Sequence, residues 1–221
     1  SRLELDFVIY ETGLGGRLDA TNVLVPVLTI ITEIGLDHTK YLGTTIEEIA
    51  GEKAGIIKTG VPVVYNTGSI EADTVIRSRA EALAAEAINV ANVEYIIDEI
   101  TDKTIDFSMN NRYYSYNGLR LDSVATYQVD NAVTAITACE VLLGRQLAQE
   151  KIQLALDAFF WPGRMEKLAD NIIIDGAHNV SAIERFTESV NAGYADYKKT
   201  LLFAVAGDKD YEPMIAYLMQ N

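Results

Sequence analysis

The chain of 221 residues is poor in cysteine, in positive charge and in long hydrophobic runs, and each shortage excludes a class of protein. One cysteine, Cys139, excludes an intramolecular disulfide, and its apolar helical surroundings predict a small core residue. Lys and Arg number 18 against 32 Asp and Glu, and the net charge of −14 argues against a nucleic-acid partner, because binding phosphates requires clustered cations.

Membrane and export signals are also missing from the sequence. No stretch approaches the roughly 20 apolar residues of a membrane span, and no signal peptide is visible. With 49% hydrophobic and 23% charged residues, the composition is that of a globular protein. We therefore predict a cytoplasmic protein without a membrane partner.

Two phosphate-binding fingerprints are absent as well. The chain contains no G-x-x-x-x-G-K-[ST] loop, and its glycines at 13, 15 and 16 do not form G-x-G-x-x-G, because Leu18 stands three residues after Gly15.

The chain begins with Ser1 rather than Met and enters an apolar segment at once. We expect a piece of a longer protein that is inactive when isolated.

Alternating apolar segments predict an α/β fold, a mostly parallel sheet flanked by helices, with part of a smaller Rossmann-like α/β domain after it. The sharp break at Phe160 to Arg164 predicts domains over 1–160 and 161–221. Predicted strands cover 3–10, 27–34, 61–65, 93–97, 172–175 and 200–206, with a hairpin over 104–109 and 113–116 and a further turn at 117–118. Predicted helices cover 45–58, 70–88, 130–143, 148–159, 181–194 and 211–219, the first of them capped by Thr44 or Thr45.

Two polar side chains follow predicted buried strands. Glu11 ends the first strand and precedes three glycines, whose backbone can approach a ligand closely. His38 follows the second strand. Ligands bind at the carboxyl edge of parallel sheets, so Glu11 is a candidate metal ligand, and adjacent parallel strands would bring His38 close to it. A tight turn and an ordinary surface histidine are the alternative interpretations.

Lys53 lies on the apolar face of the predicted helix 45–58, seven residues after Ile46 and four after Ile49. A lysine on a buried face is expected to have a lowered pKa and a nucleophilic amine. Lys58 falls on the polar side and is expected to be dispensable. The alternative for Lys53 is a side chain that reaches solvent at the helix edge.

The string from Glu11 to Asn22, together with His38 and Lys53, resembles the folylpolyglutamate synthase and dihydrofolate synthase branch of the Mur ligase superfamily. The segments 161–166, 174–179 and 127–132 resemble the nucleotide-contacting segments of that family. Two residues depart from it: Tyr127 stands where the family usually has histidine, and Val180 where it usually has proline. The segment 207–210 resembles a motif at the domain interface, although a solvated loop fits it equally well.

The resemblance implies an ATP-dependent ligase that joins L-glutamate to a folate carboxylate through an acyl phosphate, with either dihydropteroate or tetrahydrofolate as acceptor. It implies a monomer that uses Mg²⁺ and a lysine carbamylated by CO₂. The implied catalytic and metal-binding residues are Glu11, His38 and Lys53. The implied folate-binding residues are Leu18, Asp19 and Ala20, and the implied ATP-binding residues are Asn131, Arg164, Asp175 and His178. A Mur-type peptidoglycan ligase and a non-catalytic nucleotide-binding module remain the alternatives.

Overall fold

The computed structural model describes residues 5–111, 114–207 and 209–221, which divide into two compact units. The first contains the described residues up to Ile34 together with His38–Ile88, and the second contains Gly35–Asp37 and Asn89–Asn221. The predicted domain boundary near Phe160 stays a prediction. Among the described residues, no helix is long and apolar enough to cross a membrane.

The first unit is a small sheet with helices packed on it. Strands β1 (Thr29–Ile31), β2 (Val63–Tyr65) and β3 (Ala87–Asn89) lie in that order, and β1 pairs with β2 in parallel. Helices α1 (Thr39–Leu42), α2 (Ile46–Ala54) and α3 (Ile70–Ala82) complete it. The core is formed by fully buried aliphatic side chains, among them Ile49, Ile57, Val63 and Ile76. Each contributes about 1.5–3 kcal/mol through burial.

Helix α2 begins where the sequence predicts. Thr45 Oγ1 accepts the backbone N–H of Glu48 at 3.3 Å, and the Glu48 carboxylate accepts the N–H of Thr45, which completes a capping box. The Glu48 carboxylate also accepts the N–H of Thr44 at 2.6 Å, and these hydrogen bonds lower the pKa of Glu48. The predicted cap at Thr45 is confirmed.

Among its described residues, the second unit contains two antiparallel sheets, four α-helices and a short 3-10 helix, Val90–Asn92. Strands β4 (Glu94–Ile100), β5 (Ile105–Asn110) and β6 (Ser115–Leu121) form one sheet, and β7 (Glu166–Ala169) pairs with β8 (Ile172–Ile174). The helices are α4 (Tyr127–Leu143), α5 (Gln149–Asp157), α6 (Val180–Gly193) and α7 (Tyr211–Gln220). The α/β class is thus observed, and the second unit has antiparallel sheets whereas the first contains the parallel pair.

Several predicted elements are wrong. Residues 5–10 and 200–206 are not strands, and Ile9 and Leu202 are almost fully exposed; residues 3 and 4 lie outside the described part. The helix over 70–88 ends at Ala82, after which β3 forms. The turn at 117–118 lies inside β6. Apolar runs predict burial, but a strand also requires a partner for its backbone N–H and C=O groups, and periodicity does not reveal that partner.

The prediction that Cys139 is a small core residue is also wrong, because Cys139 is exposed. It lies on α4 between Ala138 and Glu140, and both of these neighbours are buried. The buried Glu140 carboxylate accepts hydrogen bonds from the Tyr116 hydroxyl at 2.6 Å and from the Asn111 amide. The helix therefore buries a polar side chain that has partners and exposes the thiol.

Candidate functional site

The loop over residues 11–22 is organised around the carboxylate of Asp19. Asp19 Oδ2 accepts the backbone N–H groups of Gly13 at 3.0 Å and Leu14 at 3.2 Å. Asp19 Oδ1 accepts the N–H of Thr21 at 2.8 Å and its hydroxyl at 2.6 Å, so Asp19 caps the short 3-10 helix Ala20–Val23. These donors, with the Thr21 hydroxyl as the largest cause, lower the pKa of Asp19 to about 2.

The same loop packs against the last turn of α2 so closely that side chains are excluded. A Cβ atom on Gly16 would lie 2.8 Å from the carbonyl oxygen of Glu52, and one on Gly55 would lie 2.4 Å from Cβ of Arg17. The Arg17 N–H donates to the Glu52 carbonyl at 2.8 Å, and the Arg17 guanidinium donates to the Glu52 carboxylate at 2.9 Å. The glycines of this segment therefore permit direct backbone packing.

Lys58, predicted to lie on the polar side of the helix, takes part in this packing, and the predicted extension of the helix to residue 58 is wrong. Its ammonium donates to the backbone oxygen of Asn22 at 2.8 Å and to Asn22 Oδ1 at 2.7 Å. The Asn22 amide in turn donates to the carbonyl oxygens of Arg17 and Gly55. Lys58 lies beyond the end of α2, where the helical periodicity used for the prediction no longer applies.

The three residues predicted to bind metal all lie in the first unit. Glu11 is exposed just before the loop, and Lys53 is half-buried in the last turn of α2. His38 precedes α1 with φ at +51°, a left-handed backbone that costs free energy in a non-glycine residue. The described residues contain no cluster of three His, Cys, Asp or Glu side chains suited to a metal. The metal site therefore stays a prediction.

A carboxylate also organises the loop that follows β8. Asp175 Oδ2 accepts the Tyr127 hydroxyl at 3.0 Å and the N–H of Met165 at 2.8 Å, while Oδ1 accepts the N–H of Ala177 at 2.8 Å. Burial, followed by the charge of Asp175, raises the pKa of Tyr127, which therefore remains a donor. Met165 has φ at +51°, so the backbone is strained here too.

Three of the predicted nucleotide-binding residues lie in this loop region. Gly176 donates its N–H to the Gly163 carbonyl at 2.7 Å, and a Cβ atom on Gly176 would lie 3.1 Å from Nη1 of Arg164. Nδ1 of His178 lies 2.8 Å from the carbonyl oxygen of Gly176. The structure thus brings Arg164, Asp175 and His178 together.

The fourth predicted nucleotide-binding residue, Asn131, lies on α4. It is exposed, donates to Gln128 Oε1 at 2.8 Å and follows Tyr127 by one helical turn. Tyr127 and Asn131 therefore share a face of α4, and Tyr127 connects that face to Asp175. The sequence had marked Tyr127 only as a departure from the family.

Asp37 is a polar residue that the sequence analysis missed. It accepts the ammonium of Lys209 at 2.9 Å and the Asn179 amide at 3.1 Å, and Nε2 of His178 lies 3.7 Å from it. The segment around Lys209 is therefore attached to other residues of its unit rather than simply solvated. The only signal in the sequence was the position of Asp37 immediately before His38.

Comparison with known proteins identifies the class first. The structure matches an FPGS–AMPPCP–folate complex with a TM-score of 0.82 and 30% identity, over 96% of this chain and 53% of the other. It matches Escherichia coli FolC in complex with DHPP and ADP with a TM-score of 0.80 and 28% identity, over 95% of this chain and 49% of the other. The fold is accordingly that of the Mur ligase-like α/β proteins. No protein-family model matches the chain.

Curated sequences give the particular family. The chain is 40% identical to the dihydrofolate synthase/folylpolyglutamate synthase of Bacillus subtilis over 97% of its length, and 32% identical to the folylpolyglutamate synthase of Lacticaseibacillus casei over 96%. The chain belongs to the folylpolyglutamate synthase/dihydrofolate synthase family. It spans about half the length of these relatives, 51% and 50% respectively.

Proposed function

We propose that the protein carrying this chain is an ATP-dependent ligase that adds L-glutamate to a folate carboxylate through an acyl phosphate. The observation that carries the proposal is the 40% identity to a dihydrofolate synthase/folylpolyglutamate synthase over 97% of the chain. The glycine-dependent docking of residues 11–22 on α2 supports it, because the family signature coincides with that packing.

The proposed reaction requires two bonds to form in sequence. The terminal phosphate of ATP is transferred to the folate carboxylate, which releases ADP and forms an acyl phosphate. The amine of glutamate then attacks the acyl carbon, phosphate leaves, and the nitrogen loses a proton as the amide forms. Such chemistry depends mainly on positioning and charge neutralisation.

The nucleotide is assigned to the second unit. We assign Arg164, which is exposed beside Gly176, to the phosphates, and His178 and Asn131 to further contacts with the nucleotide. Asp175 is assigned to the ribose side. Its two oxygens accept hydrogen bonds from three protein donors, so its first effect is to fix the segments that carry Arg164 and His178.

The folate is assigned to Leu18, Asp19 and Ala20 on the loop of the first unit. Leu18 is 79% exposed and offers an apolar contact, whereas the oxygens of Asp19 are engaged by loop donors. We therefore assign Asp19 the role of shaping the loop and Leu18 and Ala20 that of contacting the folate.

Glu11, His38 and a carbamate on Lys53 are the proposed holders of Mg²⁺. The donor set is chemically suitable, because a carboxylate and a carbamate offer the oxygen ligands that Mg²⁺ prefers. Mg²⁺ bound there would supply positive charge beside the phosphate and acyl oxygens. The strained backbone of His38 is consistent with a functional position.

The test is glutamate ligation by the protein that carries this chain, followed as ADP release with dihydropteroate or tetrahydrofolate as acceptor. Lys53→Ala should lower kcat by about 100-fold or more, with partial rescue by short carboxylic acids, and Glu11→Gln and His38→Ala by about tenfold each. Glu47→Gln, an exposed acid on the same helix as Lys53, is the matched control. Absence of Mg²⁺-dependent ligation with either acceptor would refute the proposal.

A further inference from the structure

Three residues of the family signature, Arg17, Thr21 and Asn22, have no part in the proposed reaction. Thr21 is accounted for by its hydrogen bonds to Asp19. Arg17 and Asn22 instead reach out of the loop to the end of helix α2. They are the residues by which the loop is attached to the helix.

The loop caps the C-terminal end of α2. The last carbonyl groups of a helix have no partner within it and must be satisfied from outside. Here the N–H of Arg17 donates to the Glu52 carbonyl at 2.8 Å, and the Asn22 amide donates to the Gly55 carbonyl at 3.2 Å. The loop therefore supplies one backbone donor and one side-chain donor to carbonyl groups at the helix end.

Lys58 closes this arrangement from the other side. Its ammonium makes two hydrogen bonds to Asn22, at 2.7 Å and 2.8 Å, and its side chain is half-buried. Bonds that involve a charged donor are stronger than neutral ones, particularly when water is partly excluded. Asn22 is thus held by Lys58 while its amide group holds Arg17 and Gly55.

The geometry points to Asn22 and Lys58 as positioning residues. They keep the loop over residues 11–22, to which the folate is assigned, aligned with the helix turn that carries Lys53. This inference rests on the proposed function, which places folate at Leu18 and Ala20 and the reactive lysine at 53. Gly16 connects the two, because a Cβ atom there would lie 3.0 Å from the carbonyl oxygen of Lys53. A displacement of about 1 Å in such a site can cost roughly 100-fold in rate.

The test uses Lys58→Met, which removes the charged donor and keeps an unbranched apolar side chain, and Asn22→Ala. Each should raise amide hydrogen exchange at Arg17 by about tenfold, since the Arg17 N–H bond to Glu52 would open more often. Each should raise the KM for the folate substrate by about fivefold and leave the KM for ATP within about twofold. Lys151→Met, an exposed lysine on α5, is the matched control and should change none of these quantities.

The double variant shows whether the two residues act together. If they form one contact, the changes in exchange at Arg17 and in the folate KM should not simply add. In the double variant Asn22→Ala with Lys58→Met, each change should exceed that of the more strongly affected single variant by no more than about twofold. Unchanged exchange at Arg17, multiplicative losses in the double variant, or equal increases in both KM values would overturn the inference. Exchange requires no turnover, so a protein that failed to ligate glutamate would count against the proposed function and leave the exchange result interpretable.

Discussion

The two loops assigned to ligands are held in different ways. The loop over residues 11–22 is organised internally by Asp19, and it docks on the end of α2 with glycines at 16 and 55, where a side chain would collide with the opposing segment. The loop after β8 is held by one carboxylate, Asp175, which collects three donors. At Gly176 an added Cβ would lie 3.1 Å from Nη1 of the Arg164 side chain and 3.4 Å, an ordinary contact, from the carbonyl oxygen of Gly163.

This difference agrees with the two departures from the family pattern that the sequence resemblance indicates, at Tyr127 and Val180. A Cβ atom added at Gly16 or Gly55 would lie 2.8 Å from the Glu52 carbonyl oxygen or 2.4 Å from Cβ of Arg17, so glycine is required at both positions of this docked loop. A carboxylate accepts any suitably placed donor, and the hydroxyl of Tyr127 supplies one where histidine is usual. Val180 similarly begins α6 without proline, because Asn179 caps the helix by accepting the N–H of Ala182 at 2.9 Å.

Gly55→Ala should have the largest effect on the packing of the loop over residues 11–22 against α2. Its Cβ would lie 2.4 Å from Cβ and 2.6 Å from Cα of Arg17, so the loop must move. We expect the free energy of unfolding to fall by about 1–3 kcal/mol, the usual cost of overpacking. Urea unfolding followed by circular dichroism measures it.

Gly51→Ala is the matched control for this substitution. Gly51 lies in the middle of α2, and a Cβ atom there would meet nothing within 4 Å. Alanine is the better helix former, so stability should rise by about 0.5–1 kcal/mol. Equal changes in the free energy of unfolding of the two variants would show that helix propensity, rather than collision with Arg17, determines the effect of the substitution at Gly55.

Tyr127→Phe tests the loop after β8, which Asp175 holds, and it should change stability less than Gly55→Ala does. Asp175 would lose one of three donors, worth about 0.5–1.5 kcal/mol, and the Kd for ADP should rise about three- to tenfold as the loop loosens. Isothermal titration calorimetry on the protein that carries this chain measures it. Tyr127→His, which restores a donor, should recover most of the affinity.

Tyr95→Phe provides the control, because Tyr95 also donates to an aspartate of α4, Asp130, at 2.8 Å. It removes a bond of the same type at a different position, and ADP affinity should remain within about twofold. A similar loss in both variants would mean that general loosening of α4, and not Asp175, sets nucleotide affinity.

The parts of the fold that the sequence revealed are those governed by local rules. The capping box of Thr45 and Glu48 fixed the start of α2, and apolar periodicity located α4, α5, α6 and α7 to within a few residues. The strands over 5–10 and 200–206 failed because an apolar run carries no information about its pairing partner.

The site shows the same division. The grouping of Arg164, Asp175 and His178 followed from two recognised segments, 161–166 and 174–179, which the β7–β8 hairpin brings together. Lys58 was misjudged because its partner, Asn22, lies 36 residues away and beyond the reach of helix periodicity. Asp37 was missed for the same reason, since Lys209 lies 172 residues from it. Polar contacts between distant segments require the fold before they can be seen.

The titration of the Asp19 carboxyl group is the test with the smallest expected effect on the loop over residues 11–22. Its pKa of about 2 in the folded protein lies below the ordinary value of 3.8, because the ionised form accepts the donors of Thr21, Leu14 and Gly13. A depressed carboxyl pKa means that the stabilisation is present above the unfolded value and is lost as the pH falls from about 4 through 2.

We therefore expect the Thr21 amide signal, followed by NMR, to change by only about a tenth of its full titration between pH 5 and pH 3. A carboxylate with an ordinary pKa would complete most of its titration in that interval, so a midpoint near pH 4 would contradict the bonding seen at Asp19. Asp19→Asn keeps the shape but not the charge, and its Thr21 signal should not respond to pH in this range. If the Asn variant titrates like the wild type, the response belongs to another carboxylate, and the loop is held by its contacts to α2 rather than by Asp19.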